Sequence, residues 1–260
     1  MLNQKMRCDI AGIHFQVSNV GAEEFGESFL PFLYCQQAAK SDDRCLIELA
    51  GADAGLLSEK SDRAWSFDSH DGVAVLSAAN PEGDVLWRLT GCYPYEKLSF
   101  VWHPELFLSV YSNQGFGSYN IALILALVLR LLELKGIVLH CSASIVDGAG
   151  IICTGRSGRG KSTISALLRD NGVAVLSDER AVIRVHDHGL QVYGTPWPSS
   201  SNCVLNSSAP LKKLYFLQHG AANRLDPLTP AESLKQLLDV VMVPWLNPVF
   251  FDPLIEVLES

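Results

Sequence analysis

The sequence is poor in basic residues: 20 Lys and Arg stand against 28 Asp and Glu, a formal net charge of −8. A broadly basic footprint is therefore missing, which argues against nucleic acid as the main partner. A local phosphate site survives that argument, because it needs only a few cations. Paired cysteines are missing as well. Cys8, Cys35, Cys45, Cys92, Cys141, Cys153 and Cys203 are scattered, with no CxxC spacing. An odd, dispersed set argues against a disulfide frame and against a zinc site, whose ligands usually sit close in sequence. The thiols read as reduced, which suits a cytoplasmic protein. Long apolar runs are missing too. The first residues, MLNQKMRCDIAG, contain no apolar signal core. The most apolar stretch, 121–129, is followed at once by Arg130, Glu133 and Lys135. It is too short to span a bilayer and reads as a core helix. No internal repeat and no low-complexity segment stands out.

What is present is core-forming material. Hydrophobic residues make up 48% of 260, enough for one large domain or two small ones. The first hundred residues are β-rich. Strands are expected over 13–20 and 45–49, with a further pair over 73–76 and 85–89 around Asn80-Pro-Glu-Gly83. No chemical motif occurs there, and its acids read as solvated surface. Residues 116–135 read as a helix. The grammar then changes to strands over 137–146 and 151–154, joined by the turn Asp147-Gly-Ala-Gly150. A glycine loop follows, then a helix over 161–169 stopped by Asn171-Gly172, and a strand over 173–176. Residues 181–185 and 190–193 flank Asp187-His-Gly189 as a hairpin. A strand over 211–217 precedes the capping box Thr229-Pro-Ala-Glu232, which starts a helix to about residue 241. The tail carries Pro244, Pro248 and Pro253 and is expected to be irregular with short helical pieces. The fold class is α/β: a β-rich region over 1–110, then an α/β domain over 111–260.

The glycine loop carries the chemistry. GxxxxGK[ST] is satisfied by Gly155, Gly160, Lys161 and Ser162, within the run Gly155-Arg156-Ser157-Gly158-Arg159-Gly160-Lys161-Ser162-Thr163. Its glycines admit backbone angles and close approaches that a Cβ would block. Its N–H groups can converge on phosphate oxygens, and the helix that follows aims its positive end at the same anion. Lys161 supplies a cation to the β- and γ-phosphates of ATP, and the Ser162 hydroxyl can join an Mg²⁺ shell. The strand before and the helix after are the context such a P-loop needs. Arg156 and Arg159 stand inside the loop, as phosphate contacts or as solvated tips.

Ser177-Asp178-Glu179 ends the strand over 173–176. Carboxylates at the end of a strand beside the loop's own strand can hold Mg²⁺ or accept the proton of an attacking hydroxyl. They also suit a plain turn. Only 17 residues separate Lys161 from Asp178, room for one helix and one strand. His140 lies upstream, on the strand that feeds the loop. It reads either as a satisfied core histidine or as a group tuning a neighbouring carboxylate.

From Leu139 to Ala181 the chain resembles the catalytic core of HPr kinase/phosphorylase and its relatives, some found beside peptide-modification or secretion genes. The resemblance covers roughly 136–240. It includes the stretches Gly194-Thr-Pro-Trp-Pro198 and Ala209-Pro-Leu-Lys-Lys-Leu-Tyr-Phe-Leu217, similar to the HPr-kinase-related branch rather than to the namesake enzyme. It implies a P-loop core of the HPr kinase and phosphoenolpyruvate carboxykinase type, with ATP and Mg²⁺ used to phosphorylate a serine. By the family's pattern Asp178 is the base, Glu179 the second acid (where the family usually has Asp), and His140, Lys161 and Ser162 match its His, P-loop Lys and metal-binding Ser. Asp178, Glu179 and Ser162 would hold the metal. The family's downstream glycine-rich segment with Glu and Arg is absent. Gly194 to Pro198 and the run Ser199-Ser-Ser-Asn202 stand there instead, and Arg224 alone answers to a further family arginine. These departures speak against the reverse, phosphorolytic reaction and against HPr itself as substrate. The expected partner is a protein or peptide phosphoacceptor, with the N-terminal region as its recognition device by elimination. Relatives are often homo-oligomers. Two other readings stay open: a small-molecule kinase or carboxykinase-like enzyme drawing on Arg180, Arg184, Lys212 and Lys213, and a non-catalytic ATP-binding maturation factor.

Overall fold

The computed structural model describes residues 5–19, 27–33, 43–51, 57–111, 118–199, 202–242 and 251–259. Val20, residues 116–117, Ser200, Ser201, Pro244, Pro248 and Cys35 lie outside that set. The protein is α/β, with two mixed sheets and few helices. By contact the chain forms two compact units. One takes residues 1–25, 33–133 and 244–251, and the other takes 26–32, 134–243 and 252–260.

The first unit holds a seven-stranded sheet. Its strands are β1 (Lys5–Ile10), β2 (Ile13–Ser18), β3 (Arg44–Gly51), β4 (Trp65–His70), β5 (Val73–Ala79), β6 (Val85–Cys92) and β7 (Lys97–Trp102), in the order β1-β2-β3-β7-β6-β5-β4. The β2–β3 and β3–β7 pairs are parallel and the others antiparallel. On β3, Cys45, Ile47 and Leu49 are buried while Leu46 and Glu48 alternate outward, the period-two pattern of a strand with one core face. Helices α1 (Pro104–Tyr111) and α2 (Ser118–Glu133) follow. Helix α2 packs on β2, β3 and β7 through buried Ala122, Leu123, Ala126 and Leu127. That packing places α2 in the first unit. By contact the units divide after Glu133, whereas the sequence alone placed the boundary near residue 110.

The second unit continues with β8 (Gly136–Val146), β9 (Ala149–Thr154), α3 (Lys161–Asp170), β10 (Ala174–Ser177), β11 (Arg180–His186), β12 (Gly189–Tyr193), β13 (Ser208–Phe216), α4 (Pro230–Leu238), β14 (Val241–Met242) and α5 (Phe251–Glu259). Pairing runs from β8 through β11, β12, β13 and β9 back to β8, with β10 and β14 also on β8. Only β13–β9 is parallel. Strand β8 is the hub. Its residues from Gly136 to Ser144 are buried apart from half-buried His140, the near-continuous apolar run of a strand covered on both faces. The core gathers Ile137, Leu139, Cys141, Ile152, Leu176 and Ile183.

Two expectations shift here. Strand β10 does not pair with β9, because β8 lies between them. Both run antiparallel to β8, so they run the same way and their carboxyl ends, Thr154 and Ser177, face the same side. The helix expected to reach residue 241 ends at Leu238, where the chain turns into β14, which lies opposite Val138 and Leu139 of β8, and the His140 N–H donates to the Val240 carbonyl at 2.8 Å. The capping box is formed as expected, with Thr229 Oγ1 accepting from the Glu232 N–H at 3.3 Å and the Glu232 carboxylate accepting from the Thr229 N–H at 2.9 Å. Among the described residues no helix is long and apolar enough to cross a membrane.

Candidate active site

The loop between β9 and α3 begins one residue past the sheet. Gly155, Gly158 and Gly160 take φ of 148°, 79° and 99°, which only glycine holds without strain. At Gly155 a Cβ would also come within 3.1 Å of the Leu217 carbonyl. Gly160 then opens α3 with no side-chain cap, leaving the first-turn N–H groups for an anion. The tip is open: Arg156, Ser157, Gly158 and Arg159 are exposed, as is Thr163 on the helix.

Lys161 differs from its neighbours. It is buried, and its ammonium donates to the Gly155 carbonyl at 2.8 Å and the Arg156 carbonyl at 3.4 Å. Burial lowers its proton affinity, opposed by Glu179 and Cys141. The ammonium thus sits under the loop on two backbone carbonyls, with Glu179 favouring its charge. Behind it, the Ser165 hydroxyl donates to the Lys161 carbonyl at 3.1 Å and meets the Ser142 hydroxyl at 2.6 Å. That pair of serines fixes α3 to β8.

Asp178 and Glu179 form the two-residue turn between β10 and β11. The Ser177 hydroxyl braces it by accepting from the Arg180 N–H at 3.3 Å. Asp178 is 1% exposed. Its Oδ1 accepts from the Ser199 N–H at 2.8 Å, and its Oδ2 accepts from the Ser199 hydroxyl at 2.8 Å. The same hydroxyl lies 3.3 Å from the Ser162 hydroxyl. A chain of three side chains, Asp178–Ser199–Ser162, thus links the acid turn to the start of α3.

His140 stands on β8 opposite Arg180 of β11. Its Nδ1 is 3.0 Å from the Glu179 carbonyl and 3.5 Å from Glu179 Oε1. A carbonyl only accepts, so Nδ1 carries the proton and, in the neutral ring, Nε2 is the acceptor. Burial lowers the imidazole's proton affinity, Glu179 opposes this, and Lys161 adds to it. His140, Lys161 and Glu179 therefore lie within electrostatic reach of one another.

Other sequence candidates fall elsewhere. Arg156 pairs with Asp239 at 3.0 Å, largely in solvent. Arg224 is exposed and pairs with Asp226 at 2.8 Å. Arg184 is buried on β11, whereas Lys212 and Lys213 are exposed on β13, so these three do not share one face-lining role. Two residues beside the site were not named as site residues from the sequence. Ser199 was noted only within the run that stands where the resembled family has its glycine-rich segment, and its contact with Asp178 spans 21 residues. His219 Nε2 reaches the Gly158 carbonyl at 2.9 Å across 61 residues. Beside the loop, Gly155, Arg159, Leu217, Gln218, Lys235 and Gln236 help line a cleft of about 450 Å³, within the size range of small-molecule sites.

Among the described residues no group of three or more His, Cys, Asp or Glu is gathered to hold a metal. Mg²⁺ does not require one, since it is commonly held by one or two carboxylates, substrate phosphates and water. The hard oxygen donors Ser162 Oγ and Asp178, joined through Ser199, fit that ion. No family model matches the chain, and no curated protein matches it significantly.

Proposed function

We infer that this chain is an ATP-dependent kinase of the HPr-kinase-related type, which transfers the γ-phosphate to a serine hydroxyl of a protein or peptide. The observation that carries this reading is the buried Asp178 carboxylate, already hydrogen-bonded to a serine hydroxyl at 2.8 Å and linked through that hydroxyl to Ser162 at the start of the helix after the glycine loop. A general base must stand within about 2.6–3.2 Å of the heavy atom whose proton it takes, and Asp178 Oδ2 stands 2.8 Å from the Ser199 hydroxyl oxygen, which supports this reading.

Each residue then has a task. The loop N–H groups and α3 bind the phosphates, and Lys161 leaves its carbonyl partners to neutralise charge on the β- and γ-phosphates. The cleft between the loop and α4 is the space assigned to base and ribose. Ser162 and Asp178 would hold Mg²⁺, with Glu179 close by; the ion supplies charge neutralisation at the phosphates. Asp178 accepts the hydroxyl proton. His140, through the Glu179 carbonyl and carboxylate, fixes the acid turn. Little more is required, because phosphoryl transfer asks chiefly for positioning and electrostatics.

The test is Asp178→Asn. Affinity for ATP without Mg²⁺, measured by calorimetry, is expected to survive, because the loop and Lys161 hold the phosphates, while transfer to serine peptides falls by about 10²–10⁴-fold, the usual contribution of a general base. Undiminished transfer overturns the base assignment. Transfer to small hydroxylated metabolites but never to peptides would replace the acceptor class. Failure of the wild-type chain to bind MgATP overturns the whole reading.

A further inference from the structure

The serine that occupies Asp178 belongs to this chain. Ser199 reaches the carboxylate at two points, its N–H on Oδ1 and its hydroxyl on Oδ2, both at 2.8 Å. A plain turn or cap needs only the first. The second aims the hydroxyl proton at the atom that serves as base. The oxygen of that hydroxyl also lies 3.3 Å from Ser162 Oγ, on the side where the loop and α3 present their N–H groups. Ser199 is half-buried.

The segment leading to Ser199 is held firmly. Gly194 is wedged so closely that a Cβ would lie 2.0 Å from the Leu205 carbonyl and 2.7 Å from the Leu176 carbonyl. The buried Thr195 hydroxyl donates to the Arg180 carbonyl at 2.7 Å. Trp197 is buried and meets Phe29 edge-on, with ring centroids 6.1 Å apart. Beyond it, the Asn202 N–H donates to the Ser199 carbonyl at 3.1 Å. The hydroxyl is therefore positioned by the fold. Positioning of this kind is the main requirement for phosphoryl transfer.

We propose that Ser199 is an internal phosphoacceptor: the chain phosphorylates its own Ser199 in cis. This rests on the kinase reading above. The Ser199 oxygen forms a bond to the γ-phosphorus of ATP as its proton passes to Asp178 Oδ2. The bond from that phosphorus to the β–γ bridging oxygen breaks, and ADP departs with the electron pair. The products are phosphoserine at 199 and ADP. The added phosphate and the Asp178 carboxylate repel each other, so the modified segment leaves the base and opens it to an external hydroxyl.

The experiment uses the full chain with Mg²⁺ and γ-labelled ATP and no added acceptor. Fragment mass spectrometry is expected to find one phosphate, on Ser199. Its first-order rate constant should stay the same across a dilution series, as a reaction in cis requires. Ser199→Ala keeps the Oδ1 contact, which comes from the backbone, so it should bind MgATP normally by calorimetry and carry no label. Ser199→Thr should restore labelling. A wild-type chain that binds MgATP and phosphorylates a serine peptide while Ser199 stays unmodified overturns the internal acceptor and leaves the kinase reading standing. Equal labelling of Ser199→Ala does the same, as does a rate that rises with protein concentration. Absence of MgATP binding overturns both.

Discussion

Lys161 is stored rather than spent in the free protein. Its ammonium is buried against two backbone carbonyls, a neutral set of partners that does not match its charge. A phosphate offers a better one, since hydrogen bonds to a charged group contribute about 1.5–3 kcal/mol. Lys161→Ala is therefore expected to weaken MgATP binding by about 10–100-fold, at roughly 1.4 kcal/mol per decade, with the far-UV spectrum unchanged. Unaltered affinity would remove Lys161 from the site. His140 makes a prediction about pH. Burial lowers its proton affinity below the ordinary value of 6.5, so near and below that pH the unfolded chain binds more protons than the folded one. Stability then rises with pH through that window and is lost as pH falls. A proton NMR titration should place the His140 midpoint below 6.5, and His140→Gln should flatten the acid side of the stability profile. A midpoint above 6.5 would mean that Glu179, not burial, governs the ring.

The elements divide into those announced locally and those made by distant contacts. The glycine loop, the Asn171-Gly172 stop of α3 and the Thr229–Glu232 capping box were legible because each is decided within a few residues. Strand β4 was not, because WSFDSH buries only Phe67; β1 keeps a strict alternation with Met6, Cys8 and Ile10 buried, and was passed over all the same. Strand β7 was also missed, although KLSFVW alternates and buries Leu98 and Phe100; it pairs with β6 just before it and with β3 about fifty residues back in sequence. The Ser199 contact was invisible, since no spacing rule ties residue 199 to residue 178. The segment 194–199 is where the consequence can be measured. A methyl at position 194 would collide with two backbone carbonyls, of Leu176 and Leu205, and backbone cannot turn aside as a side chain can. Gly194→Ala is expected to cost about 1–3 kcal/mol, as overpacking does, in denaturant unfolding. It should also slow phosphotransfer, because Leu176 lies two residues before Asp178. A variant as stable and active as the parent would show that the crossing is loose and that Ser199 is not held as described.

At the scale of the whole molecule, both units are built from separate stretches of chain. The second takes 26–32, 134–243 and 252–260, whereas the sequence alone suggested a single cut near residue 110. Every residue assigned to nucleotide or phosphotransfer, from His140 to Ser199, belongs to that second unit, and so does the cleft beside α4. The first unit supplies a separate sheet with its own core of Phe15, Ile47, Trp87 and Phe100. A ligand stabilises what it binds, by about 2.7 kcal/mol at a hundredfold excess over its Kd, and local opening reports where that stabilisation falls. Hydrogen exchange with and without saturating MgATP separates the two units. Slower exchange is expected over 155–163, over the acid turn at 177–180 and at the start of α3, with little change in β1 to β7. Protection confined to β1–β7, or spread evenly over both sheets, would overturn the assignment of the nucleotide to the second unit. Slower exchange at 155–163 without any change at 177–180 would keep the phosphate cradle and detach it from the acids.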